Sequence, residues 1–185
     1  MTGAAAELMR DLDAPSWTVR ARAAERLATD YCAGALDDAA RSAAEDAFRV
    51  LVHDCEVLVR RVLAECLKRA AGLPHDVAVA LATDVPHVAV PLLEHSPSLG
   101  DDDLLRILRL HPGEHRAAIA RRRTVSEPVA DALCRCAGEA VVAELLRNHG
   151  AYLAARTLRW LVGRRADWQS VAAPAARRLA EVEVA

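Results

Sequence analysis

Three arginine clusters hold the densest chemistry in this 185-residue chain: Arg121-Arg122-Arg123, Arg164-Arg165 and Arg177-Arg178, each near the end of a predicted helix. A guanidinium is planar, forked and permanently charged, so clustered arginines suit carboxylates, phosphates or nucleic acid. Arginines near a helix C-terminus equally suit free carbonyls and the negative end of the macrodipole. Ser96, Arg123 and Asn148 fall at nearly the same point of three successive predicted helices. That spacing predicts a ladder of polar side chains, which either ties neighbouring turns together or meets a ligand. The candidate partner or anion surface is therefore Arg121, Arg122, Arg123, Asn148, Arg164, Arg165, Arg177 and Arg178.

The remaining reactive residue types fit other chemistry less well. His111 and His115 have the spacing at which one helical face holds a metal, but Pro112 and Gly113 place them in a turn and predict solvated loop histidines. Cys134 and Cys136 would project about 200° apart on a helix, too divergent to chelate. Cys32, Cys55 and Cys66 fall on predicted helices, where cysteine is commonly a small buried hydrophobe; a shared redox or zinc role is the alternative. Asp101, Asp102 and Asp103 can be read as a cation site or an acid–base pair. Their place at a helix start suits capping better, and no glycine-punctuated calcium loop follows. No serine has a nucleophile-elbow setting, and neither dinucleotide nor phosphate-loop glycine patterns occur. The expectation is no enzyme, no cofactor and no metal.

Composition narrows the partners. The formal charge is −2 and the pI near 6.4, so there is no basic excess to neutralise a row of phosphates, and nucleic acid is an unlikely default. No uncharged apolar run is long enough to span a bilayer, and Glu7, Arg10 and Asp11 interrupt any signal-peptide core. Five cysteines without dense spacing read as reduced thiols, and the expected location is cytoplasmic. Of the 24 basic residues, 23 are arginine and only Lys68 is lysine.

The elements that must position these residues are helical. Forty of 185 residues are alanine while only six are aromatic, which favours closely packed helices and excludes an all-β fold. In the second half, Leu73, Leu99, Val125 and Tyr152 start successive units at spacings of 26, 26 and 27 residues. Each of the first three precedes a helix-opening signal: Pro74, the Asp101–Asp103 run, and Ser126-Glu127-Pro128, where Ser126 can accept a hydrogen bond from a free N–H. Second helices follow over Pro86 to His95, Glu114 to Arg123, Gly138 to Asn148 and Gln169 to Val182, with Leu93, Ala120, Leu146 and Ala173 in register. The N-terminal third reads as longer helices over Ala4 to Asp11, Trp17 to Tyr31, Asp37 to Val52 and Cys55 to Ala71. Val19-Arg20 and Val59-Arg60 there share one spacing of valine, arginine and leucine that resembles the second helix of a HEAT repeat. Repetition at this period predicts an all-α solenoid of about six antiparallel helix pairs. It reads as one domain over residues 1–185, with longer pairs over 1–72 and shorter repeats over 73–185.

Short motifs then appear in a recognisable order: Leu81-Ala82-x-Asp84, Pro91-Leu92-Leu93, Asp101-x-Asp103-Leu104-Leu105, Ala118-Ile119-Ala120-x-Arg122, Asp131-Ala132-Leu133 and Leu145-Leu146-x-Asn148. From about Tyr31 to the C-terminus the chain resembles an alphaproteobacterial HEAT-like family catalogued as a domain of unknown function (number 2336). The resemblance implies a bacterial helical-repeat fold and brings no activity or catalytic residues. The expected role is a non-catalytic module that binds a protein partner in regulation or scaffolding. The alternative is nucleic-acid or phosphate binding through the arginine clusters. Val171, Ala172, Ala175, Leu179, Val182 and Val184 make the last helix a candidate surface for homo-oligomers.

Overall fold

Small side chains let these helices approach closely. A computed structural model describes residues 10–164 and 167–184, in which eleven α-helices are resolved and no strand occurs. The expected helix over Ala4 to Asp11 lies largely outside the described residues, as do Arg165 and the Val184 side chain. The chain divides into two compact units, Met1–Leu99 and Gly100–Ala185.

In the first unit, α1 (Trp17–Cys32), α3 (Val57–Leu67) and α5 (Pro86–His95) pack side by side, while α2 (Asp38–Leu51) packs on α4 (His75–Ala82). Ala21, Ala24 and Ala28 are buried on α1, whose most extensive neighbour is α3. Phe48, Leu63, Leu67, Leu81, Leu92 and Leu93 fill the core. Tyr31 meets Phe48 edge to face with ring centroids 5.2 Å apart. Its hydroxyl lies 2.8 Å from the Gly72 carbonyl and 3.0 Å from Glu45 Oε1, and accepts from Arg41 Nη2 at 2.6 Å. Burial, then Glu45, pushes the phenol up to about 12.

The shared valine–arginine spacing has a structural meaning. Arg20 donates from Nε and Nη2 to the two carboxylate oxygens of Asp54, at 2.6 and 2.9 Å, and from Nη1 to the Ala14 carbonyl. Arg60 repeats this on Asp84 at 2.5 and 2.9 Å, and its Nη1 reaches the Asp54 carbonyl. Each arginine thus joins its helix to the acid opening the next parallel helix, and to the carbonyl six residues before itself. Val90 stands six residues after Asp84, so the series ends there for want of a guanidinium.

In the second unit, α6 (Asp101–Leu110), α8 (Glu127–Cys136) and α10 (Ala155–Arg164) form one layer. The other holds α7 (Glu114–Ala120), α9 (Glu139–Arg147) and α11 (Gln169–Val184). Asp103 accepts the Gly100 N–H at 2.9 Å, as its place in a first helical turn predicts. Ser126 does not cap: its hydroxyl is buried without a partner, and Pro128 at the second helical position offers it no N–H. Gly113, at φ +67°, turns the chain into α7. His115 lies in that helix and is buried, its ring stacked on His111 at 4.8 Å, so it is not a solvated loop histidine.

Two register expectations change. Tyr152 is 66% exposed, whereas Ala151 is buried and forms an isolated parallel bridge with Val125. The spacing from Val125 is therefore 26, the same as between the two preceding pairs of buried residues. Ala173 is exposed because α11 is longer than its counterparts and buries Val171 and Ala175 instead. The apolar stripe of that helix thus turns mostly inward, leaving Val182 exposed. Cys32 and Cys55 are also exposed rather than buried, and Cys66 is half-buried; Cys134 is buried, which pushes its thiol up to about 12.

The arginine–aspartate pairs make stability depend on pH. The Arg20 hydrogen bond holds the Asp54 carboxyl below its ordinary value; at Asp84 burial pulls upward, but Arg60 and the Val85 N–H leave it lowered too. A carboxyl depressed by folding stabilises above its unfolded pKa of about 3.9, and that contribution is lost as pH falls through the folded value. Arg60→Met, which removes the guanidinium paired with Asp84, is expected to lower the unfolding midpoint by about 4–8 °C at neutral pH. Circular-dichroism melts from pH 7 down to about pH 2 should show that gap shrinking as Asp84 protonates. A gap independent of pH would contradict the pairing.

Candidate helix-end ridge

The second unit carries 14 basic and 11 acidic residues, a formal +3, against 10 and 15, or −5, in the first. Where that positive charge lies depends on which arginines already have partners. On the layer of α8 and α10, carboxylates meet them: Arg135 pairs with Asp131 at 2.7 Å, Arg159 with Glu183 at 2.6 Å, and Arg156 with Glu127. Arg135 also lies over the half-buried Trp160 ring.

At the ends of α7 and α9 the chemistry differs. Helix α7 stops at Ala120, three residues before the expected end, because the chain turns there to run alongside the segment after α9. Val125 N–H donates to Gly150 O at 3.1 Å and Tyr152 N–H to Val125 O at 2.8 Å. Gly150 is required at this crossing, since a Cβ there would sit 1.8 Å from the Arg123 carbonyl oxygen. Asn148 caps α9 and its amide donates to Ala120 O at 2.8 Å and Arg122 O at 2.7 Å, filling carbonyls that the early end of α7 leaves free. Its Oδ1 accepts the Gly150 N–H. Ser96, the cap of α5, accepts the Ser98 N–H in the same way, so Ser96 and Asn148 are equivalent. Counting 26 residues from either one places the matching position at Arg122, one residue before Arg123.

Arg178 repeats the role of Asn148 on the next helix of the same layer. From α11 it donates to Leu146 O, Asn148 O and Ala151 O, at 3.3, 3.0 and 3.1 Å. All three partners are neutral carbonyls, so its charge is oriented but not cancelled. Arg122 is half-buried, and burial lowers its pKa despite the opposing pull of Asp101. Beside these, Arg121, Arg123, Arg147, His149, Tyr152 and Arg177 are exposed. Arg123 and Arg177 have no ion-pair partner among the described residues; Arg147 meets Glu144 at 3.4 Å.

The structure thus brings the clusters at 121–123 and 177–178 together across Asn148. Arg164 is elsewhere. The N–H and hydroxyl of Ser170, at the start of α11, bind Glu139 at the start of α9, so the two helices run parallel, and Arg164 closes α10 just before that opposite end. Gly150, Arg147 and His149 were missed by sequence reasoning; a glycine followed by a repeat anchor is the signal that could have found the first. Arg116, whose guanidinium binds the carbonyls of Leu108 and Cys136, had no neighbouring arginine to mark it.

Asn148 should therefore discriminate between substitutions. Asn148→Ala leaves two carbonyls without donors and is expected to cost about 1–3 kcal/mol. Asn148→Asp should cost more, because a carboxylate would face those same oxygens. Denaturant unfolding measures both; a stable Asp variant would show that the amide is not the donor.

The family model described as an uncharacterised protein conserved in bacteria (DUF2336) matches residues 88–180, just over half the chain. Neither curated proteins nor solved structures give a match. The matched span takes in α7, α9, Asn148 and Arg178, and with them the helix-end ridge, and the chain belongs to this uncharacterised bacterial family.

Proposed function

We propose that the chain is a non-catalytic, HEAT-like repeat module that binds a protein partner in a regulatory or scaffolding role, in the bacterial cytoplasm. Three features support the HEAT-like solenoid reading. Within each unit, helices two places apart share a layer; the arginine–aspartate series links successive parallel helices; and buried anchors at Leu73, Leu99, Val125 and Ala151 recur every 26 residues.

One observation carries the functional reading: among the described residues, Arg123 and Arg177 stand without carboxylate partners on a ridge whose backbone is locked by Asn148, Gly150 and Arg178. A ridge whose backbone does not reorganise on binding loses less of the interaction energy, and its exposed cations favour a partner offering carboxylates. Exposed Tyr152 adds an amphipathic contact of the kind enriched at protein interfaces. The fitting partner is an acidic protein segment. The uncancelled charge on Arg178 supports a second reading, binding of nucleic acid or another phosphate ligand.

Photo-crosslinkers placed at positions 123 and 177 in the native bacterium test both. Discrete protein adducts are expected, lost on charge reversal of the neighbouring Arg147 and retained after Arg106→Glu on α6. Adducts destroyed by nuclease would favour the second reading. Equal labelling from position 106 would contradict a specific ridge.

A further inference from the structure

Cys32 closes α1, and Cys66 lies in the last turn of α3, the parallel helix beside it. The Cys32 Sγ is 3.5 Å from the Cys66 carbonyl oxygen. Cys32 is exposed and Cys66 half-buried, so a small reagent reaches this pair from solvent. The other thiols are placed differently. Cys55 precedes α3 at its far end, 4.0 Å from Arg20, and Cys134 is buried in the second unit. A disulfide needs Cα atoms about 4.4–6.8 Å apart. The Cys32 sulfur already touches the Cys66 backbone, so the two cysteines stand side by side at the ends of adjacent parallel helices, and rotation about χ1 brings their sulfurs toward one another.

We propose that Cys32 and Cys66 form a dithiol that a hydroperoxide oxidises to a disulfide, stapling α1 to α3. The exposed Cys32 thiolate attacks the O–O bond, taking one oxygen as a sulfenic acid and releasing water from hydrogen peroxide or an alcohol from an organic peroxide. The Cys66 thiolate then attacks that sulfur, forming the S–S bond and expelling hydroxide, which leaves as water. Two thiols are oxidised, one peroxide is reduced, and their two protons end in the products.

The surroundings set the rate. Cys66 faces Glu25 and Cys32 from α1, with Glu65 and Lys68 from its own segment; Cys32 faces Arg41 from α2. Burial is the largest influence on both and holds them protonated at neutral pH, with Arg41 pulling Cys32 the other way. The exchange is therefore slow near pH 7 and faster as pH rises. Closure encircles α2 and constrains the unfolded chain.

The test exposes the full chain to hydrogen peroxide at about pH 7 and about pH 9, then maps unreduced peptides by mass spectrometry. A Cys32–Cys66 linked peptide should dominate, form several-fold faster at the higher pH, and raise the unfolding midpoint by about 5 °C or more until dithiothreitol reverses it. Cys32→Ser and Cys66→Ser should each abolish the linked species, and Cys55→Ser should leave it unchanged. Independent oxidation of the two sulfurs, equal linkage to Cys55 or Cys136, linkage between separate molecules, or an unmoved midpoint would overturn the proposal.

Discussion

A helix that stops inside a packed structure exposes carbonyl oxygens that water cannot reach freely, and each needs a donor from elsewhere. Here those donors are supplied by side chains on neighbouring helices, earlier or later in the chain. Asn148 fills the end of α7, and Arg178 fills the end of α9. In the first unit, Arg41 and Tyr31 meet at the Gly72 carbonyl, and Arg60 reaches the carbonyl of Asp54 while pairing with Asp84. Neighbouring helices within each unit are thus held by polar donors at their ends as well as by alanine and leucine in their cores. The short helices of the second unit, some of only seven to ten residues, would be marginal alone and gain their definition from these neighbours.

This constraint also sorts the arginines. Arg116 and Arg178 are committed to carbonyls, and Arg20, Arg60, Arg135, Arg156 and Arg159 to carboxylates. The arginines left without such commitments are fewer than the sequence clusters suggest. Arg123 and Arg177 neighbour residues that the backbone holds fixed, so their charge sits on a stiff edge.

Much of the helical pattern was legible because its causes are local. Pro86 opens α5, Asp37 caps α2 through the Ala40 N–H, and the aspartates at 101–103 open α6. What misled were positions decided by a neighbour. The end of α7 is fixed by residues 148–152, so continuing its period carried the helix three residues too far. Tyr152 looked like an anchor because it is large, yet the parallel bridge chooses Ala151 and turns Tyr152 outward. Arg178 looked like a free cation, and no local signal tells an arginine aimed at carbonyls from one aimed at solvent. The contact between Cys32 and Cys66 was hidden for the same reason: it joins two helices that sequence alone cannot place side by side.

The central claim is that the segments after α7 and α9 are locked to one another and are not mobile connections. Amide hydrogen exchange at Val125 and Tyr152, the two donors of the parallel bridge, measures this directly. Protection comparable to the interior of α9 is the result this account requires; exchange at the rate of an open loop, with α9 still protected, would contradict it.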